Sequence, residues 1–527
     1  MIGIWSSLEQ QLGPAASTQH KEQIKLIPLS GRVVSFSKTA MQSAYRNTPM
    51  QGSAGGGSGR VQVISRQMVR AEAPPASEEE IHLTPWDLRM LTVEYFQDGI
   101  VLPKPNRDPG RDDDLAVMDR LSPAFARALR CFYPLAGRMV IGGDTATTVS
   151  LLCTGEGAEL VHAAAPGVTA ADVAAWPPRD TPREPVSSLF PLNGLLCVDA
   201  AASPGAESRR PAPLLAAQVT ELADAVFVAV SLNHAAGDGT TFWHFVNTWS
   251  YLARGGGADS SPPPPPPVLK RWFPDGYPVP VPLQFAKVQH AVQQRRPPPP
   301  LHECAFHFSG DSVRNLKARA NAELARSGET PAASVSSLQA LLAHLWRSVC
   351  RARRLEPSQR TAYVQFIGCR GRVRGVPAAG YVGNAVVPCR AASTAGEVVG
   401  NGLGRAAGLL ARAVASLAKD EAALVRESVD RWTEEQRFPP PAAAQAVAAI
   451  VAGNSPRFDV YGNNFGWGKP VAVRCGPENA ADGKCTVYEG RGGGGAVCLE
   501  VCLAPDAMAR LVADEEFMDA VAAPPCL

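Results

Sequence analysis

No stretch of the 527 residues stays apolar long enough to span a bilayer, because Gly, Pro or charge breaks each hydrophobic window well short of about 20 residues. A soluble protein with no membrane partner is expected. Charge is equally uninformative: the net value is +2, and no basic stripe interleaved with aromatics points to nucleic acid. The twelve cysteines stand singly, without a CxxC; even Cys498 and Cys502 have three residues between them inside an expected strand. That pattern is neither a zinc site nor a small secreted disulfide framework, so reduced thiols in a cytoplasmic protein are expected, with no metal. Heptads are missing, which fits a monomer, and so are tandem repeats. GRGGGG at 490–495 lacks the strand–helix context of a phosphate loop and reads as a flexible surface loop. Residues 1–60 hold no signal-type apolar core and end in the Gly/Ser-rich QGSAGGGSG. They read as a disordered or extraneous extension, with a transit peptide left open by their scarcity of acids.

What is present is enough apolar residue, 45%, for large cores, in a chain long enough for two domains. The stretch that organises it is VFVAVSLNHAAGDGTTFWHFVNTW at 226–249. Val226 to Leu232 is a β-branched apolar run that predicts a buried strand. Gly237 and Gly239 break it as needs of a tight turn, and Thr240 or Thr241 is expected to cap a helix carrying Phe242, Trp243, Phe245 and Trp249. His234 then sits at a strand end, held by the sheet and able to face a cavity, with Asp238 four residues on. This is a good position for a general base. A lone HxxxD is nevertheless common, and alone it is weak.

A second motif, YGNNFGWGKP at 461–470, changes its weight. With IHLTPWDLRML at 81–91, CFYPLAGRM at 131–139, SVSSLQALLAHLWR at 334–347 and YVGNAVVP at 381–388, the pair resembles the plant BAHD acyltransferases in the same order. The family's hallmarks are HxxxD near mid-chain and DFGWG near the end; the resemblance covers about Val61 to Val521. It implies an α+β fold, the two-domain chloramphenicol-acetyltransferase-like arrangement of mixed sheets, flanking helices and a channel between the domains. Residues 61–255 are expected to form an N-terminal domain with HxxxD, and 301–527 a C-terminal domain with NFGWG. Between them the prolines of 256–300 suit neither helix interior nor central sheet, so this stretch reads as a surface crossover.

The remaining elements are read from periodicity. Val61–Val69, Leu214–Leu222 and TAYVQFIGCRGRV predict strands, Leu115–Cys131 a helix, Val398–Val429 a long amphipathic helix, and 505–521 a last helix. CAFHFSGDSVRNLKARANAELARS reads as strand then helix, and SVSSLQALLAHLWRSVCRARR as a helix with a basic end. In the family, the region of Thr92 and Tyr95 lines the acceptor pocket, although Thr92 also reads as packing.

The resemblance implies that acyl-CoA is the co-substrate, with no bound cofactor, and that a small-molecule alcohol or amine is the acceptor. His234 would take the acceptor's proton with no covalent enzyme intermediate. Asp238 would support the loop through an arginine, with Arg370 as candidate, rather than orient His234 as in a triad. Asn464 stands where the family has Asp; it cannot act as a base and pairs less strongly with Arg. Phe465 to Gly468 with Trp467 read as a packed turn. Asn454 or Ser455 is placed to donate to the oxyanion. Lys317, Ser336, Ser337 and Arg474 fall where the family contacts CoA. Two other readings stay open: a degenerate relative that binds without turnover, and a lyase on the same scaffold.

Overall fold

The computed structural model describes residues 61–72, 79–105, 113–142, 147–174, 184–202, 211–256, 262–294, 299–327, 334–419, 421–438, 448–453, 455–477 and 480–522. The expected extension over residues 1–60 lies outside them. Two six-stranded mixed sheets organise the chain. The first runs Gln62–Val69, Ala158–Ala165, Leu215–Leu222, Ala225–Leu232, Phe96–Pro103, Ala472–Cys475. The second runs His302–Phe308, Val497–Leu503, Lys484–Glu489, Ala449–Gly453, Arg360–Gly368, Val386–Thr394. A four-stranded sheet (Glu80–His82, Thr148–Leu152, Arg138–Gly142, Ala201–Ala202) stands beside the first.

Ala225–Leu232 is buried at all eight positions, between Leu215–Leu222 and Phe96–Pro103, both antiparallel to it. Its unbroken apolar run is what a strand covered on both faces requires. Leaving that strand, the chain turns through His234 into the Gly239–Ala253 helix. The aromatics of this helix pack on the Asp113–Cys131 helix, Phe125 meeting Trp249 at 4.9 Å and Phe245 at 5.6 Å. Trp249 Nε1 also donates to Leu121 O at 3.0 Å. In the second half the Ser337–Ala352 helix starts at a capping box, Ser336 with Gln339, and buries most of its length against the second core. The two sheets meet through polar contacts: Tyr488 Oη donates to Asp98 at 2.6 Å, and Arg474 pairs with Glu500 at 3.3 Å.

Several elements differ from the sequence reading. The helix cap is Asp238, whose carboxylate accepts from Thr241 N at 3.1 Å; neither Thr240 nor Thr241 fills that role. Gly237 is required for room and not for a special φ, since a Cβ there would lie 2.5 Å from Thr241 Cγ2. The crossover is not purely superficial: it contains a helix, Phe285–Gln293, and buries Arg271, Val281 and Leu283. The stretch 398–429 divides among three helices, Ala395–Gly400, Gly402–Lys419 and Glu421–Glu435, with Gly402 at φ +81° marking the first break. Likewise the final helix stops at Val512, and Asp514 caps a separate turn, Glu515–Met518.

Candidate active site

His234 follows Asn233, whose side chain shapes the turn by donating to Cys197 O at 2.9 Å and accepting from Ala235 N at 3.0 Å. The backbone of His234 is held at both ends: its N–H donates to Cys197 Sγ at 3.1 Å, and its carbonyl accepts from Asn384 Nδ2 at 2.8 Å. The ring meets Phe96 edge-on at 5.6 Å. The residue is half-buried, and Nδ1 is sealed off without a hydrogen-bond partner, so Nε2 is the nitrogen left to face a substrate. Desolvation pushes the imidazole below its ordinary 6.5, against the pull of its own carbonyl and of Asp238. The ring is therefore neutral, and can accept a proton, near pH 7.

Asp238 does not orient that ring by a hydrogen bond. Its carboxylate receives Arg370 Nη1 at 2.7 Å and Nη2 at 2.8 Å, Ala385 N at 3.0 Å and Thr241 N at 3.1 Å. Burial opposes the charge, but the guanidinium and the two amides outweigh it and hold the carboxyl below its usual range. Arg370 lies just past the end of the Arg360–Gly368 strand rather than within it. It also donates to the carbonyls of Tyr381 (3.1 Å) and Gly383 (2.8 Å), so it fixes the 381–385 turn as well as Asp238.

A second carboxylate completes the support. Asp87, fully buried, accepts from the amide and side chain of Asn384, each at 2.9 Å, and lies 3.7 Å from Arg271. Arg271 in turn donates to Ala236 O at 2.8 Å and Val382 O at 2.7 Å. Three segments distant in sequence thus grip the turn that carries His234. No motif or periodicity in the sequence marks a role for Asp87, Asn384 or Arg271. One signal was there: Thr84 and Asp87 form a capping box with the spacing such boxes use.

The NFGWG turn lies at the other end of the Gly239–Ala253 helix. Asn464 N donates to Ser250 Oγ at 2.8 Å, and Trp249 meets Phe465 at 5.1 Å. Asp238 and Ser250 are twelve helical steps apart, about 18 Å at 1.5 Å per residue. Asn464 is therefore far from His234. Its Oδ1 accepts from Gly466 N at 2.8 Å and Gly468 N at 3.2 Å. Trp467 packs against the first core, with Nε1 buried and unpartnered.

The other candidates divide. Lys317 is exposed on the Gly310–Arg326 helix, and Asn321 ties its carbonyl (2.8 Å) to Val335 N (3.2 Å), just before Ser336 and Ser337 at the next helix start. These three are neighbours. Arg474 lies apart, on the first sheet, with Nε donating to Val173 O at 2.6 Å and Nη1 on Glu500. Ser455 Oγ accepts from Arg457 N at 3.2 Å, and Asn454 falls outside the described residues. Thr92 and Tyr95 are buried, Tyr95 donating to Pro213 O at 3.0 Å.

A mixed two-sheet α+β fold with a strand-end histidine and an Asp–Arg-braced turn is what the resemblance to the acyltransferases implies. The model of the transferase family matches residues 59–518. An uncharacterised acetyltransferase of Arabidopsis thaliana is 31% identical over 467 residues, spanning 87% of this chain and 99% of that protein. The BAHD acyltransferase DCR of Arabidopsis thaliana is 28% identical, over 87% of this chain and 92% of that one. Among solved structures, a F. sporotrichioides protein complexed with coenzyme A and T-2 superimposes with a TM-score of 0.63 at 21% identity, covering 84% of this chain and 99% of that one. The chain belongs to the BAHD acyltransferase family.

Proposed function

We propose that this acyltransferase moves an acyl group from an acyl-CoA thioester to a hydroxyl or amine of a small specialised metabolite, with His234 as general base. The observation that carries this reading is a neutral imidazole on a braced turn, with Nε2 available and Asp238 occupied elsewhere. Nε2 takes the acceptor proton as the acceptor atom attacks the thioester carbonyl. The tetrahedral oxyanion then collapses, the C–S bond breaks, and the departing CoA thiolate takes the proton from His234, which returns the imidazole to its neutral form. Ser455 keeps its hydroxyl proton to donate to the oxyanion, and it remains our candidate together with Asn454. Lys317 beside the start of the Ser337–Ala352 helix, with Ser336 and Ser337, suits CoA phosphate, because a helix N-terminus and a cation both favour an anion. We take the working enzyme to be a cytoplasmic monomer with acyl-CoA as its co-substrate and no bound cofactor. Among the described residues no helix is long and apolar enough to cross a membrane.

The test is acceptor-dependent thiol release from a panel of acyl-CoAs, with mass spectrometry of the acylated acceptor. Wild type should turn over and His234→Ala should fall by about 10²–10⁴, the typical worth of a positioned base. Full activity in His234→Ala would remove the base assignment. Release without an acylated product would remove transfer itself.

A further inference from the structure

We propose a second binding site, for a small organic carboxylate with an aromatic body, in a cavity of about 640 Å³ where the crossover meets the 373–377 loop and the Glu421–Glu435 helix. The volume suits a small ligand. Its lining combines apolar and cationic groups, chiefly Lys270, Trp272, Phe273, Val373, Arg374 and Arg426. Lys270 and Arg374 are exposed, and among the described residues neither side chain has an ion-pair partner. Arg426 is already engaged, with Nε on Asp430 at 3.1 Å and Nη1 on Asp275 O at 3.1 Å. Among the described residues Asp275 is the single carboxylate of the lining, which makes that lining net positive.

The aromatic wall is fixed before any ligand arrives. Trp272 stacks on Trp86 at 4.9 Å with planes 21° apart, and its Nε1 donates to Arg374 O at 3.1 Å. A wall already ordered costs a ligand little entropy to use. Arg271 also borders the cavity, but its charge is taken by Asp87 and the carbonyls of Ala236 and Val382. An incoming anion must therefore be met by Lys270 and Arg374. No helix start lies among the lining residues, which separates this site from a phosphate cradle. Apolar wall and free cations together select a carboxylate attached to a ring. The site is distinct from the His234 turn, none of whose residues lines it.

The experiment is calorimetric titration of the full chain carrying His234→Ala, so that binding is read without turnover and independently of the proposed activity. Benzoate, cyclohexanecarboxylate and inorganic phosphate are the probes. Benzoate should saturate, at least several-fold tighter than either comparison. Adding Lys270→Ala and Arg374→Ala should weaken it at least tenfold, the worth of one or two charge-assisted hydrogen bonds. Both side chains are exposed, and an unchanged melting temperature will show that the variant is folded. Three results would each overturn the proposal: no saturation by benzoate, unchanged affinity in the double variant, or phosphate binding as tightly as benzoate.

Discussion

The two ends of the Gly239–Ala253 helix hold two motif turns by different means. At its start Asp238 is 2% exposed and faces a buried guanidinium with two amides beside it. At its end the half-buried Asn464 offers one oxygen to two glycine amides, and no ion pair is involved. The first turn needs a negative charge, because Arg370 would otherwise be buried without a counter-ion. The second needs only an acceptor, which an amide supplies as well as a carboxylate. Asn in place of the family's Asp keeps the acceptor that this turn uses.

Breaking the charged end should cost most. Asp238→Ala or Arg370→Ala is expected to destabilise the protein by about 3–5 kcal/mol, read by urea unfolding, because each leaves a buried charge unpaired. Asp238→Asn keeps an acceptor but loses the charge, and should still cost about 1.5–3 kcal/mol. An Asp238→Asn protein as stable as wild type would erase the contrast between the two turns.

Asn384→Ala comes next. It removes the donor to His234 O and one donor to Asp87, at about 1–3 kcal/mol. A loss in kcat/KM of roughly tenfold or more is expected from a loosened histidine. Unaltered kinetics would show that the backbone clamp on His234 does not matter to the reaction. The pH profile sharpens the same end. With its folded value depressed, His234 stays unprotonated as pH falls through 6.5, so kcat/KM should hold level there and decline only at lower pH. An acid limb centred at or above 6.5 would contradict a desolvated base.

The smallest effect belongs to the neutral end. Asn464→Asp should change stability by no more than about 0.5 kcal/mol, whereas Asn464→Ala, which orphans two amides, should cost about 1 kcal/mol. A large gain in activity from Asn464→Asp would mean that the carboxylate does more than close a turn.

How much of this could be read from residues alone depends on range. The buried strand and the break at His234 are local patterns, and they were legible; so was the mixed α+β class. Asp238 as helix cap was missed because the motif drew its carboxylate elsewhere, yet one carboxylate does both: Oδ1 caps Thr241 and takes Arg370 Nη2, while Oδ2 takes Arg370 Nη1 and Ala385 N. Asp87 and Asn384 are 297 residues apart, and no periodicity links such a pair. The Phe285–Gln293 helix was hidden by the prolines around it, since only Val288 and Ala291 are buried. Thr92 is buried, as the packing reading of it expected, and Tyr95 is buried with it.

The strand Ala472–Cys475 bears on how the protein is made. It pairs with Phe96–Pro103 across the edge of the first sheet, Ala472 opposite Val101 and Cys475 opposite Asp98. That edge stays open on the ribosome until some 370 further residues have been synthesised, about 20 to 70 s at 5–20 residues per second. Through that interval the nascent chain carries an unpaired strand edge, a surface that invites aggregation. Synthesis of this protein should therefore depend on chaperone occupancy, and a stop codon placed just before Ala472 should yield an insoluble fragment.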